Sequence, residues 1–288
     1  MKTNSISRRD FLKTSAATAG ALAITGCSSL MSPKEYGGNR IPFGVQLYSV
    51  RNDCAKDFPG TLAALGKMGY KGVEFADYFK RDAKTLRRML DESGLKCCGT
   101  HIYLDDMLGD KLSGTVEFNQ TLGNSFLIVR MFPSKYTVDK ASWERAADLC
   151  SEVAENLKPH GMRIGYHNHE TEFKSLEGGM PWEIFFKRTR KEVAIQLDTA
   201  NAASAGADPV LLLKKFPGRA ASIHVKGFSK SKPGALVGDD ELAWKDIFRL
   251  CETTAGTEWY IVEYESDLYP PMIAVEKTLD RMRQWGKC

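Results

Sequence analysis

A chain of 288 residues, 43% apolar and 26% charged, is long enough for two average domains or for one α/β barrel of about 250 residues. Its only long apolar stretch lies near the N-terminus, so no later segment is expected to cross a membrane. The formal charge of +4 is small, and Lys and Arg alternate with Asp and Glu instead of forming a stripe, which argues against nucleic-acid binding.

The first residues read as an address and not as part of the fold. Ser7-Arg8-Arg9-Asp10-Phe11-Leu12-Lys13 is a twin-arginine pattern, and the weakly apolar run 15–24 behind it is too short to span a bilayer comfortably. Ile24-Thr25-Gly26-Cys27 then resembles the bacterial lipobox, in which Cys27 becomes the lipidated first residue of the mature protein; Ser28-Ser29 suits a tether. The expectation is a Tat-type lipoprotein signal over residues 1–27, a tether over 28–42, and a periplasmic protein that meets the membrane only through its lipid anchor. Twin-arginine export handles proteins that fold first, often around a cofactor, which favours a metalloprotein. The six other cysteines (54, 97, 98, 150, 251 and 288) lack C-x-x-C spacing and are assigned no chemistry.

From residue 43 onward, β-rich runs alternate eight times with segments of helical period. Strands are expected at 43–49, 72–76, 96–103, 125–132, 163–169, 193–199, 221–228 and 259–265. Helices are expected at 58–68, 83–92, 114–122, 140–158, 181–189, 209–216, 244–253 and 271–285. Gly69, Gly94, Gly161 and Gly218 follow helical runs where a left-handed residue is wanted, and Asp208-Pro209 sets an N-cap before a first-turn proline. Repeated βα units demand parallel strands, because each helix is a crossover. The pattern predicts a single-domain α/β fold, a (β/α)8 TIM barrel, over residues 43–288. An open doubly wound sheet would show a Gly-rich phosphate loop after its first strand, and Val45-Gln46-Leu47-Tyr48-Ser49-Val50-Arg51 has none.

In such a barrel the side chains at the C-terminal strand ends converge on one face. The sequence places there Gln46 and Tyr48, Glu74, His101, Arg130, His167 with His169 and Glu172, Asp198 with Asn201, His224 with Lys226, and Glu263 with Glu265. Four of the five histidines fall in these positions; the fifth, His160, sits where a helix C-terminus favours a cation. Alternation would aim His167 and His169 at the same side of a strand. Glu74 and His101 read equally well as polar strand ends bonded to backbone. Asp198, His224 and Glu263 are stronger, since each ends an apolar run where an unpaired ionisable group is costly. His, Asp and Glu without thiolate suit one hard or borderline divalent ion: Mn²⁺, Zn²⁺, Co²⁺ or Mg²⁺. Such an ion polarises a carbonyl and its neighbouring hydroxyl and eases removal of the C–H proton between them.

The chain resembles the xylose isomerase-like barrel superfamily, the sugar phosphate isomerase/epimerase group. The resemblance runs through Gly44-Val45-Gln46-Leu47-Tyr48-Ser49-Val50-Arg51, Gly72-Val73-Glu74-Phe75, Thr100-His101, Tyr166-His167-Asn168-His169 with Glu172-Phe173, Leu197-Asp198-Thr199, His224-Val225-Lys226 and Val262-Glu263. It implies one divalent metal bound by Glu, Asp, His and Glu on the later strands, and Asp198, His224 and Glu263 match that set. At the first ligand this chain reads His167-Asn168-His169, so either an imidazole replaces the carboxylate, with His169 a candidate, or Glu172 swings in; Glu172 is the reading taken. Endonuclease IV-like members resemble this barrel too, but they carry another His where Asn201 stands. That departure, the balanced charge and export speak against a DNA substrate.

The resemblance further implies proton abstraction next to a carbonyl through an enediolate. Glu172, Glu263, His101 or His167 would move the proton, while Gln46, Tyr48, Glu74, His169, Asn201 and Lys226 surround the sugar. Reprotonation gives an isomerase or epimerase, the leading expectation; expulsion of a β-substituent gives a lyase or dehydratase. An exported enzyme meets few sugar phosphates, and no helix-start phosphate nest or Arg cluster stands near the strand ends, so unphosphorylated keto-sugars or 3-keto-glycosides are the expected substrates. A reading from another class is a sugar-binding lipoprotein that keeps the barrel without the chemistry. Oligomeric state is left open, a homo-oligomer included.

Overall fold

The computed structural model describes residues 40–288. Cys27, the twin-arginine segment and most of the expected tether lie outside the described residues. Eight parallel strands close into a barrel in sequence order: β1 (Phe43–Gln46), β2 (Gly72–Phe75), β3 (Lys96–Ile102), β4 (Phe126–Val129), β5 (Arg163–His167), β6 (Ala194–Asp198), β7 (Ser222–Val225) and β8 (Trp259–Val262). The seam is the pairing of β8 with β1, in which Phe43 lies opposite Tyr260 and Val45 opposite Val262. The expected (β/α)8 TIM barrel is the fold.

The helices are α1 (Arg51–Lys56), α2 (Phe58–Met68), α3 (Ala83–Glu92), α4 (Lys111–Leu122), α5 (Lys140–Leu157), α6 (Pro181–Arg188), α7 (Thr199–Ser204), α8 (Pro209–Lys215), α9 (Trp244–Thr253) and α10 (Pro271–Gln284). Two short ones, α1 and α7, go beyond the sequence expectation, because six residues are too few to display an apolar period. Punctuation behaves as read: Gly69 closes α2 at φ 105°, and the Asp208 carboxylate accepts from the Val210 N–H at the start of α8.

The strands stop earlier than expected, four of them by three residues at their C-terminal ends. The ladder ends where the chain bends toward its helix, so side chains expected on strands are carried by those bends. The largest consequence falls on β5, which ends at His167. His169 lies beyond it, so strand alternation does not set its direction, and Glu172 sits in a 3₁₀ turn (Thr171–Phe173).

Packing fixes these ends. Behind β5, Tyr166 stacks on Phe132 with ring centroids 4.6 Å apart and meets Phe185 at 4.9 Å. Phe185, from α6, is fully buried, and removing such an aromatic side chain costs about 3–5 kcal/mol, so the platform beneath His167 is stiff. Between β2 and β3 the register slips: Val73 faces Cys97 but Glu74 faces Gly99. Beside this irregularity Glu74 is fully buried in the barrel interior, where a Cβ on residue 99 would stand 2.8 Å from its Oε2.

Candidate metal site

Strands β6 and β7 place Asp198 directly opposite His224. Both are fully buried. Asp198 serves two structures at once. Its Oδ1 accepts from the Asn201 N–H at 2.7 Å, capping α7, while its Oδ2 is buried without any hydrogen-bond partner. That orphaned oxygen lies 3.9 Å from His224 Nδ1 and 3.6 Å from Lys226 Nζ. A buried carboxylate oxygen with no hydrogen bond is costly, and a cation bound closer than the Lys226 ammonium would satisfy it.

His224 uses both ring nitrogens. Nδ1 stands 3.0 Å from Glu263 Oε2, and Nε2 donates to Glu74 Oε1 at 2.7 Å. Glu263 follows directly on β8, and His167 ends β5. One donor atom each from His167, Asp198, His224 and Glu263 lies within 4.8 Å of the others, and all four residues are buried. Two carboxylates and two imidazoles at this spacing fit one divalent ion of the hard or borderline class. The Lys226 ammonium, 3.4 Å from Glu263 Oε2 and also paired with Glu265, supplies positive charge at the same carboxylates.

Burial and neighbours set the charges. Burial pushes the Asp198 carboxyl up to about 7, against the pull of Lys226. Burial disfavours charge on His224, but Glu263 and Glu74 outweigh it and hold the imidazolium up to about 10. Burial, reinforced by His224 and His101, keeps His167 neutral, with its pKa well below the usual histidine range. Glu263 is opposed by burial yet held ionised by Lys226 and His224; Lys226 is likewise opposed by burial yet kept charged by Asp198, Glu263 and Glu265.

Residues 167–172 resolve differently from the sequence reading. Glu172 is buried outside the cluster: Oε1 accepts from the Tyr166 hydroxyl at 2.6 Å, and Oε2 from the His169 N–H at 2.8 Å and the Thr171 hydroxyl at 3.2 Å. It braces the turn that follows β5, and His167 stands where the first ligand was sought. His169 is half-buried and meets the His167 ring edge-on at 4.9 Å.

The residues expected around the sugar divide into two groups. Gln46 and Glu74 are sealed inside the barrel with no exposed surface. Glu74 accepts from Gln46 Nε2 (2.8 Å), His224 Nε2 (2.7 Å), His101 Nε2 (3.1 Å) and Gln196 Nε2 (2.6 Å), so it supports imidazoles instead of facing solvent. Tyr48 is exposed at the rim with the Arg51 guanidinium 4.1 Å from its ring centre. Asn201, Lys226, His101 and His169 are partly open. The sequence reading gave no role to two buried amides. Asn168 ties β5 to β6 through the Asp198 main chain, accepting from its N–H at 3.0 Å and donating to its carbonyl at 3.2 Å. Gln196 sits within β6, and its signal in the sequence is an amide inside the apolar run 193–197.

Residues 62–285 match the xylose isomerase-like TIM barrel family. The chain belongs to that family. A twin-arginine signal family matches residues 5–25, which supports export. Among curated members of known name, this barrel is similar to an inosose dehydratase of Mesomycoplasma hyopneumoniae, 25% identical over 268 residues that cover 78% of this chain and 88% of the relative. The inosose dehydratase of Clostridium botulinum is 20% identical over 277 residues, covering 81% and 92%. A sugar phosphate isomerase/epimerase from Parabacteroides distasonis has the same fold, with a TM-score of 0.74 and 23% identity over 86% of this chain and 95% of that one.

Proposed function

We propose that this family member is an exported, divalent-metal-dependent lyase. It removes the proton next to the carbonyl of an unphosphorylated keto-sugar or 3-keto-glycoside and expels the β-substituent. His167, Asp198, His224 and Glu263 would hold the ion, which when bound supplies Lewis acidity toward a carbonyl and its neighbouring hydroxyl. Glu263, held ionised beside Lys226, accepts the C–H proton; the C–H electron pair becomes the new double bond, the β C–O bond breaks, and Glu263 returns that proton to the departing oxygen. Lys226 keeps its positive charge beside Glu263 and offsets the charge that develops on oxygen.

The observation that carries elimination over epimerisation is the state of the carboxylates. Inverting a centre through two bases requires one on each face of the intermediate. Around this cluster Glu172 has both oxygens engaged, Glu74 is sealed beneath the imidazoles, and Asp198 divides itself between a helix cap and the ion. Glu263, though paired with His224 and Lys226, is the least enclosed of these carboxylates and serves as the base. The dehydratase names of the curated relatives support the same outcome. Export through the matched signal, followed by lipidation at Cys27, would place the enzyme in the periplasm on a lipid anchor, where glycosides are accessible.

The test is turnover of a panel of keto-sugars and 3-keto-glycosides with Mn²⁺ or Co²⁺ in deuterated water. Release of the substituent with an unsaturated keto-sugar is expected. Retention of the substituent with deuterium at the carbon next to the carbonyl would establish isomerase or epimerase chemistry instead. Protein that binds sugar without metal or turnover would establish a binding protein. Asp198→Asn is expected to lose both bound metal, read by elemental analysis, and turnover.

A further inference from the structure

Gln196 lies opposite His167 on one side and Ser222 on the other in the barrel ladder. It is fully buried, and every polar atom of its side chain is engaged. Its Nε2 is 2.6 Å from Glu74 Oε2 and 2.9 Å from Ser222 Oγ; its Oε1 is 2.7 Å from His101 Nε2 and 3.0 Å from His167 Nδ1. A carboxylate only accepts, so the amide atom facing Glu74 is the NH₂ group and the opposite atom is the carbonyl oxygen. A carbonyl oxygen also only accepts, so both imidazole nitrogens beside it must carry protons. His167 is therefore protonated on Nδ1. Its other nitrogen, Nε2, makes no hydrogen bond among the described residues and presents a lone pair. At His224 both ring nitrogens face carboxylates that only accept, Nε2 toward Glu74 and Nδ1 toward Glu263 and Asp198, so both carry protons before metal, and the Nδ1 proton is the one an ion would displace.

We propose that Gln196 is the positioning residue that lets a histidine serve as the first ligand of this site. Keyed by Glu74 and Ser222, its carbonyl fixes the proton on His167 Nδ1, so that Nε2 is offered to the ion while His224 offers Nδ1. The inference rests on the metal reading above and adds which atoms bind and what selects them. A ligand histidine whose remote N–H is held by a hydrogen bond is fixed in tautomer and orientation, and loss of such a partner costs about 10–100-fold in metal affinity.

Long-range ¹⁵N spectra of the imidazoles in chelator-treated wild-type protein, followed by titration with Zn²⁺ alone, test this. Expected are His167 protonated on Nδ1 before metal, and Zn²⁺-induced shifts at His167 Nε2 and His224 Nδ1. Gln196→Met, nearly the same size and unable to accept either N–H, is expected to mix the His167 tautomers and weaken Zn²⁺ binding by about 10–100-fold. Wild-type His167 protonated on Nε2 overturns the proposal, and so does a Gln196→Met protein with wild-type tautomer and affinity. Should that variant fail to fold, the wild-type spectrum decides alone. Imidazoles that show the assigned tautomers but do not respond to Zn²⁺ would instead remove the metal reading, a result distinguishable from both.

Discussion

Glu172 and His167 show how far single residues could be read. Both are ligand types within six positions, and the choice between them rests on what else each touches. Glu172 braces Tyr166 and the His169 backbone, so Glu172→Gln should keep the metal and lose about 1–3 kcal/mol of stability as a buried charge-assisted set weakens. Elemental analysis beside a denaturant titration checks both halves; a metal-free variant would return Glu172 to the ligand set. Asp198, His224 and Glu263 were legible because an ionisable group ending an apolar run announces its cost. Gln196 and Asn168 were not, since an uncharged amide gives no such signal and its partners are set by cross-strand register.

At the scale of elements, the sequence showed the units and misplaced their ends. No Gly or Pro marks the last ladder residue, so 163–169 read as one strand although the chain bends after His167. Glu74 was expected at the mouth because period-two reading does not show that Gln46, Gln196 and His224 from other strands cover it. Gly99, opposite Glu74 in the ladder, leaves room for that carboxylate. An added Cβ would lie 2.7 Å from Ile128 Cδ1 and 2.8 Å from Glu74 Oε2, and neither group can retreat from its fully buried place. Gly99→Ala is expected to lower stability by about 1–3 kcal/mol, the usual cost of overpacking, and to weaken Zn²⁺ binding by displacing Glu74 from His224. Unfolding midpoints and Zn²⁺ calorimetry on the variant give the two readouts; unchanged values would show that the interior has slack.

The whole molecule was the most legible level, because eight alternations of βα leave few architectures other than a closed barrel. It is also the level at which the buried charges act together. Under the proposed function an ion would displace a proton from Asp198 below about pH 7 and one from His224 up to about pH 10, and both effects have the same sign. Affinity should therefore rise with pH, with about one proton released per ion between pH 7 and 10 and about two below pH 7. Calorimetry in buffers of different ionisation enthalpy counts those protons, and an affinity indifferent to pH between 6 and 8 would contradict the ligand assignment.

The seam between β1 and β8 also imposes an order in time. The cluster residues occupy positions 167, 198, 224 and 263, so a growing chain acquires them one after another, and the last arrives beside the strand that closes the barrel. A partly synthesised chain has neither a complete wall nor a complete donor set. With a signal of the twin-arginine type at the front, completion at the far end becomes the event that separates an unfinished polypeptide from exportable cargo, and under the proposed function the ion is chosen on the cytoplasmic side.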